Sequence, residues 1–254
     1  EMASRPSRIP GPLFGALAPY LTATGVDAEI EVASVMASLL EFGGSMRLAE
    51  RLAEPPPRAP RSTPHPGSRP LEARIDRELE LLRTRVERAF ESVRPRAVSL
   101  WNALEDATAW GNPQLTADTL WAPLGEVIGS RIDAVRSTTS EIRHEIAHEL
   151  RLDPSATHLE ALDAVLHEAM HGATQKLCAR IVPAMHAVFT RDVNAASSAL
   201  PDFPRREQLE PWCRRDGCVA KHFWAGRAIV SVLLELEADR LLALAEGCLG
   251  SIDS

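Results

Sequence analysis

Two strings in this chain carry the residue types and spacing of a zinc-hydrolase helix: His144-Glu145-Ile146-Ala147-His148 and His167-Glu168-Ala169-Met170-His171. Residues four apart share one helix face, so two imidazoles can hold one Zn²⁺ while the Glu between them activates its water. In the second string, His167 and His171 are the candidate metal ligands and Glu168 the candidate general base. With eight His in 254 residues, chance supplies one such string in roughly fifty chains of this composition. Two in one chain are unusual enough to test by geometry.

A third ligand is needed. The segment Glu235-Leu236-Glu237-Ala238-Asp239-Arg240 resembles the downstream E-x-x-A-D element of integral-membrane zinc peptidases related to the heat-shock protease. That resemblance implies a zinc site of His167, His171 and Glu235 (or His144, His148 and Glu235), with Glu168 (or Glu145) as base. Those peptidases span membranes, whereas no apolar run here reaches the roughly 18–20 residues that a bilayer requires.

Other ligand patterns are weaker. Glu141, Glu145 and Glu168 each precede a His by three residues, the spacing of di-iron bundles, but such sites need further inward-facing carboxylates. Cys213, Cys218 and His222 supply three ligands for a small zinc site in a metal-stabilised binding module, without a fourth. Ordinary reduced thiols are the expectation there. Nucleophile motifs, phosphate-binding glycine loops and nucleotide fingerprints are absent from the sequence.

Helical phase sorts these candidates. At 100° per residue, Ile128, Ile132, Val135, Ile142, Ile146 and Leu150 form one apolar stripe, and His144 with His148 falls on the opposite, solvent side. Leu159, Leu162, Leu166, Met170, Ala173 and Leu177 form a second stripe, flanked by His167 and His171 in line with Glu160 and Cys178. On the last helix Glu235 faces away from the main apolar stripe, while Glu237 lies within it.

These helices stand in an all-α reading of the chain: a helical hairpin and a multi-helix bundle of long antiparallel helices, joined by a Pro-rich linker. The N-terminal unit, 1–53, holds helices over 12–22 and 27–53, broken at Thr24-Gly25, with Asp27 as cap and a bend at Gly43-Gly44. Seven prolines over 54–70 preclude helix and sheet, which makes that stretch a flexible linker. The bundle, 71–254, opens with a helix over 71–93. Its Ile75, Leu79, Leu82, Val86, Ala89 and Val93 recur at spacings of four and three, and Pro95 ends it. Helices follow over about 116–152, with a kink at Pro123, and over about 154–190, begun by Asp153-Pro154. A loop with Asn194, Pro201 and Pro204 leads to a last helix from about Val219 to Cys248.

Composition agrees. Aromatics are only 5% and Ala and Leu abound, favouring helices over sheets. A net charge of −7 gives no electrostatic reason to bind nucleic acid or anionic membrane. The N-terminus lacks a signal-peptide apolar core, and four cysteines are too few for a disulfide scaffold, so a cytoplasmic protein with no direct membrane insertion is expected.

Three stretches, Leu13 to Leu40, Leu162 to Phe189 and Val232 to Leu249, resemble an uncharacterised proteobacterial domain-of-unknown-function family (DUF 3348). The family has no established activity and no invariant H-E-x-x-H at the stretch holding His167. Its gene neighbourhoods imply a bacterial, cytoplasmic accessory of an ion-driven cell-envelope complex. The sequence expectation is therefore a non-enzymatic helical scaffold or adaptor without a cofactor. It binds a protein partner or itself through amphipathic helices at 71–93 and 12–42. A zinc-dependent, peptidase-like metallohydrolase is the alternative.

Overall fold

The structure, a computed structural model, describes Leu17, Pro19 and Tyr20 and residues 68–107, 112–152, 157–201 and 204–249. Apart from Leu17, Pro19 and Tyr20, which are helical, the expected helices at 12–22 and 27–53 lie outside the described residues. So do the Asp153-Pro154 start and most of the linker. The described part is all-α, with no strand among the described residues. Four long helices make the bundle: α1 (Ser68–Ser92), α3 (Pro113–Leu152), α4 (Thr157–Ser197) and α6 (Ala220–Leu249). The shorter α2 (Ala97–Asp106), the 3₁₀ turn η1 (Arg206–Leu209) and α5 (Glu210–Cys213) pack together beside them.

Interhelical contacts fix the directions. Arg74 on α1 meets Glu145 near the end of α3, while Glu87 on α1 meets Arg227 near the start of α6. Gly226 of α6 packs on Ile128 of α3, and Arg143 and Arg240 of the same two helices line one cavity further along. Hence α3 and α6 run parallel, antiparallel to α1 and α4, the up-down-up-down arrangement that short connections favour. Both α3 and α6 pack against α1 and against α4.

The apolar stripe expected on α3 is buried throughout, from Ile128 to Leu150. Removing such a stripe from water supplies the main drive for these helices to associate. On α1 the buried residues are Leu71, Ile75, Leu79, Leu82, Val86 and Phe90. Ala89 and Val93 are only half-buried, because an unsupercoiled helix at 3.6 residues per turn carries the seam from Val86 to Phe90.

Three features differ from expectation. α1 begins at Ser68, inside the stretch assigned to the linker, since Pro70 is tolerated in a first turn, where its missing N–H has no partner to lose. α4 continues past residue 190 to Ser197, so Asn194 is helical; the buried Val193 holds that extra turn on the core. α2 was not expected: only Leu100 and Leu104 anchor it, too short a pattern to be read from sequence. Pro123 lies exposed near the start of α3, which continues through it.

Candidate functional site

Between α3, α4 and α6 lies a cavity of about 80 Å³. Each helix gives it one face at three- and four-residue spacing: Arg136, Thr139, Ser140 and Arg143 from α3; Asp163, His167, His171 and Thr174 from α4; Glu237, Arg240, Leu241 and Leu244 from α6. The second H-E-x-x-H pair therefore lines a cavity, and its two rings lie 5.1 Å apart between centroids.

Arginine dominates the chemistry there. Arg143 forks onto both carboxylate oxygens of Asp163, with Nε at 2.7 Å from Oδ2, and its other terminal nitrogen donates to Nδ1 of His167. A guanidinium is always a donor, so Nδ1 must accept and the neutral ring keeps its proton on Nε2. Burial, reinforced by the positive charge of Arg143, pushes the His167 pKa down to about 4. Across the cavity Arg240 pairs with Glu237 at 3.3 Å. The side chain of Arg136, half-buried on the cavity wall, has no hydrogen-bond or ion-pair partner among the described residues.

Glu235 does not line this cavity. It lies two residues, or about 200°, round α6 from Glu237 and faces α1, where both its oxygens accept from Arg83 at 2.9 Å. That fork holds the carboxyl below its ordinary range. Glu168, one residue on from His167, is exposed and outside the cavity lining. The structure thus brings His167 and His171 together with Asp163 and Glu237, and leaves Glu168 and Glu235 elsewhere. Among the described residues no group of three His, Cys, Asp or Glu is gathered to hold a metal ion.

In the first string His144 and His148 are both exposed. His144 donates from Nδ1 to the Ser140 carbonyl one turn back at 2.8 Å, and Glu145 is ion-paired with Arg74 at 3.0 Å. Glu141 accepts from the Ser137 hydroxyl at 3.3 Å.

A second polar centre escaped the sequence reading because its members stand far apart in the chain. His222 is buried in the core, with Nε2 3.1 Å from Oδ2 of Asp192 and Nδ1 3.3 Å from the Tyr20 hydroxyl, 202 positions away. Asp192 also takes Lys221 at 2.6 Å and Arg191 at 3.2 Å. The neutral ring can donate from Nε2 to the carboxylate and accept the phenol proton on Nδ1. Burial pushes His222 down to about 4, against the attraction of Asp192, and pushes Tyr20 up to about 12. Burial alone would raise Asp192, but Lys221, Arg191 and His222 together hold it below its ordinary value. Both ring nitrogens of His222 are therefore engaged away from Cys213 and Cys218. Burial raises both thiols, Cys218 to about 12, which disfavours the thiolates a zinc site needs. The signal that could have led to this centre is His222 itself, an imidazole next to Phe223 and Trp224 at the start of α6.

No protein-family model, curated protein or solved structure matches the chain.

Proposed function

We propose that this chain is a non-enzymatic helical scaffold or adaptor, engaging a protein partner or a second copy of itself through the outer faces of its helices. The observation that carries this reading is the employment of two would-be zinc ligands as struts between helices. His167 is held by Arg143, across α3 and α4, and Glu235 by Arg83, across α1 and α6. A zinc ion at His167 would have to displace a guanidinium from Nδ1 or a proton from Nε2, with Arg136 and Arg240 also repelling it. The apolar seam of α1 is used up inside the bundle, so a partner meets this helix on its charged outer face, where Leu81 is exposed. The setting taken from the resemblance to DUF 3348 is that of a cytoplasmic accessory to an ion-driven envelope complex.

Light scattering on the full chain after size exclusion tests self-association. A mass above 27.7 kDa that rises with concentration and falls in Leu81→Glu is expected. A mass fixed at the monomer value removes that part of the reading. Metal analysis of chelator-free protein tests the rest. Stoichiometric zinc that disappears in His171→Ala would replace the scaffold with the hydrolase.

A further inference from the structure

We infer that the cavity between α3, α4 and α6 is a binding site for phosphate or a small phosphate monoester, gripped by Arg136 with Arg240 and the α4 face at His171 and Thr174. This goes beyond the scaffold reading and does not depend on it.

Three arginines line this one cavity, and a guanidinium carries only donors. Two carboxylates oppose them, Asp163 already forked by Arg143 and Glu237 already paired with Arg240. One full positive charge is left over, on Arg136, whose side chain has no partner among the described residues. Arg136 as a whole is half-buried. The surplus of donors calls for a ligand made of acceptors, and the surplus charge calls for an anion.

Shape narrows the class. Donor-bearing side chains approach from three helices, so they surround the ligand in more than one plane. A carboxylate offers acceptors in a single plane, whereas tetrahedral phosphate offers them on all sides, and guanidinium forks match its edges. The volume of about 80 Å³ is several times the roughly 10–15 Å³ one water needs by the same measure, which leaves room for a group of this size. Leu241 and Leu244 supply an apolar wall on the α6 side, against which the organic part of an ester would lie. The same electrostatics that disfavour zinc favour this occupant.

The test is thermal unfolding and calorimetric titration of the full chain with inorganic phosphate and with glycerol phosphate, against sodium chloride at matched ionic strength. Saturable binding of phosphate is expected. Arg136→Gln should weaken it by about tenfold or more, the effect of losing charge-assisted hydrogen bonds. Because the Arg136 side chain bonds to nothing else among the described residues, that variant keeps the fold. Arg88→Gln on the exposed face of α1 should bind as the unaltered chain does. In parallel, the His171 ring resonances should move on phosphate addition in the unaltered chain and in Arg88→Gln, and in Arg136→Gln only at correspondingly higher phosphate. Tighter binding of glycerol phosphate identifies a metabolite ester as the ligand, and equal binding identifies free phosphate. Stabilisation no greater than that by chloride, or equal weakening in Arg136→Gln and Arg88→Gln, overturns the proposal.

Discussion

Arg83 grips Glu235 through two parallel hydrogen bonds of 2.9 Å, joining α1 to α6 across 152 positions of sequence. The geometry is the bidentate fork that guanidinium and carboxylate favour, but the side chains are 36% and 52% exposed, so water screens much of the attraction. A double-mutant cycle with Arg83→Gln and Glu235→Gln should return a coupling of about 0.5–1 kcal/mol in urea denaturation. The fork depresses the Glu235 pKa, so its contribution is present above the ordinary carboxylate range and fades as pH falls through the lowered value. Zinc content unchanged in Glu235→Gln belongs to the same expectation. A loss of bound metal in that variant would contradict the assignment of Glu235 to a strut.

His222 should make the protein acid-labile. Its pKa is about 4 in the fold against an ordinary 6.5, so between those values the unfolded chain takes up a proton that the folded chain refuses. Stability is therefore complete above pH 6.5, declines as pH falls, and has lost about 3 kcal/mol from this residue near pH 4. The groups facing the ring are Asp192, Lys221, Arg191 and Tyr20. The depressed Asp192 adds its own loss only at still lower pH. Urea denaturation at pH 7 and pH 4.5 should show a smaller difference in His222→Gln than in the unaltered chain. Equal differences would place the acid sensitivity elsewhere.

Much of this arrangement was legible from periodicity. The α3 stripe from Ile128 to Leu150, the solvent position of His144 and His148, and the contrast between Glu235 and Glu237 all follow from 100° per residue. Such reasoning is secure when a helix has one long apolar face. It fails where partners are set by tertiary packing. Nothing local pairs Tyr20 with His222, or Arg143 with His167 on the next helix. The cavity is equally hidden, because it needs the relative placement of three helices. Even α4 is only half legible. Leu162 and Leu177 are half-buried, and among the described side chains of α4 the buried ones begin at Cys178, where α4 meets the main core.

Arg143 is expected to control the titration of His167. Burial is the first cause of the lowered pKa and the guanidinium charge the second, while Asp163 acts in the opposite direction. Arg143→Met removes the charge and frees Nδ1, so the His167 pKa should rise from about 4 towards 6.5 without reaching it, since burial persists. A proton NMR titration of the ring resonances reads this directly. The variant should also lose about 1–2 kcal/mol, because Asp163 is left half-buried without its fork. An unmoved titration would show that Arg143 does not govern the ring.

Two glycines within helices should respond to alanine with opposite signs. At Gly172 on α4 an added Cβ meets nothing within 4 Å, so Gly172→Ala should gain the helix-propensity difference of about 1 kcal/mol. At Gly226 on α6 the same atom would stand 2.5 Å from Cδ1 and 3.0 Å from Cγ1 of Ile128, the side chain through which α3 approaches. Both Ile128 and Gly226 are buried, and an overpacked core costs about 1–3 kcal/mol, which outweighs the propensity gain. Gly226→Ala should therefore lower the thermal midpoint. Ile128→Val shortens the offending side chain by its Cδ1, so the double variant should recover most of the loss, whereas Ile128→Val alone should destabilise. Should Gly226→Ala instead stabilise the chain as Gly172→Ala does, the close α3–α6 crossing that sets the bundle around the cavity would be wrong.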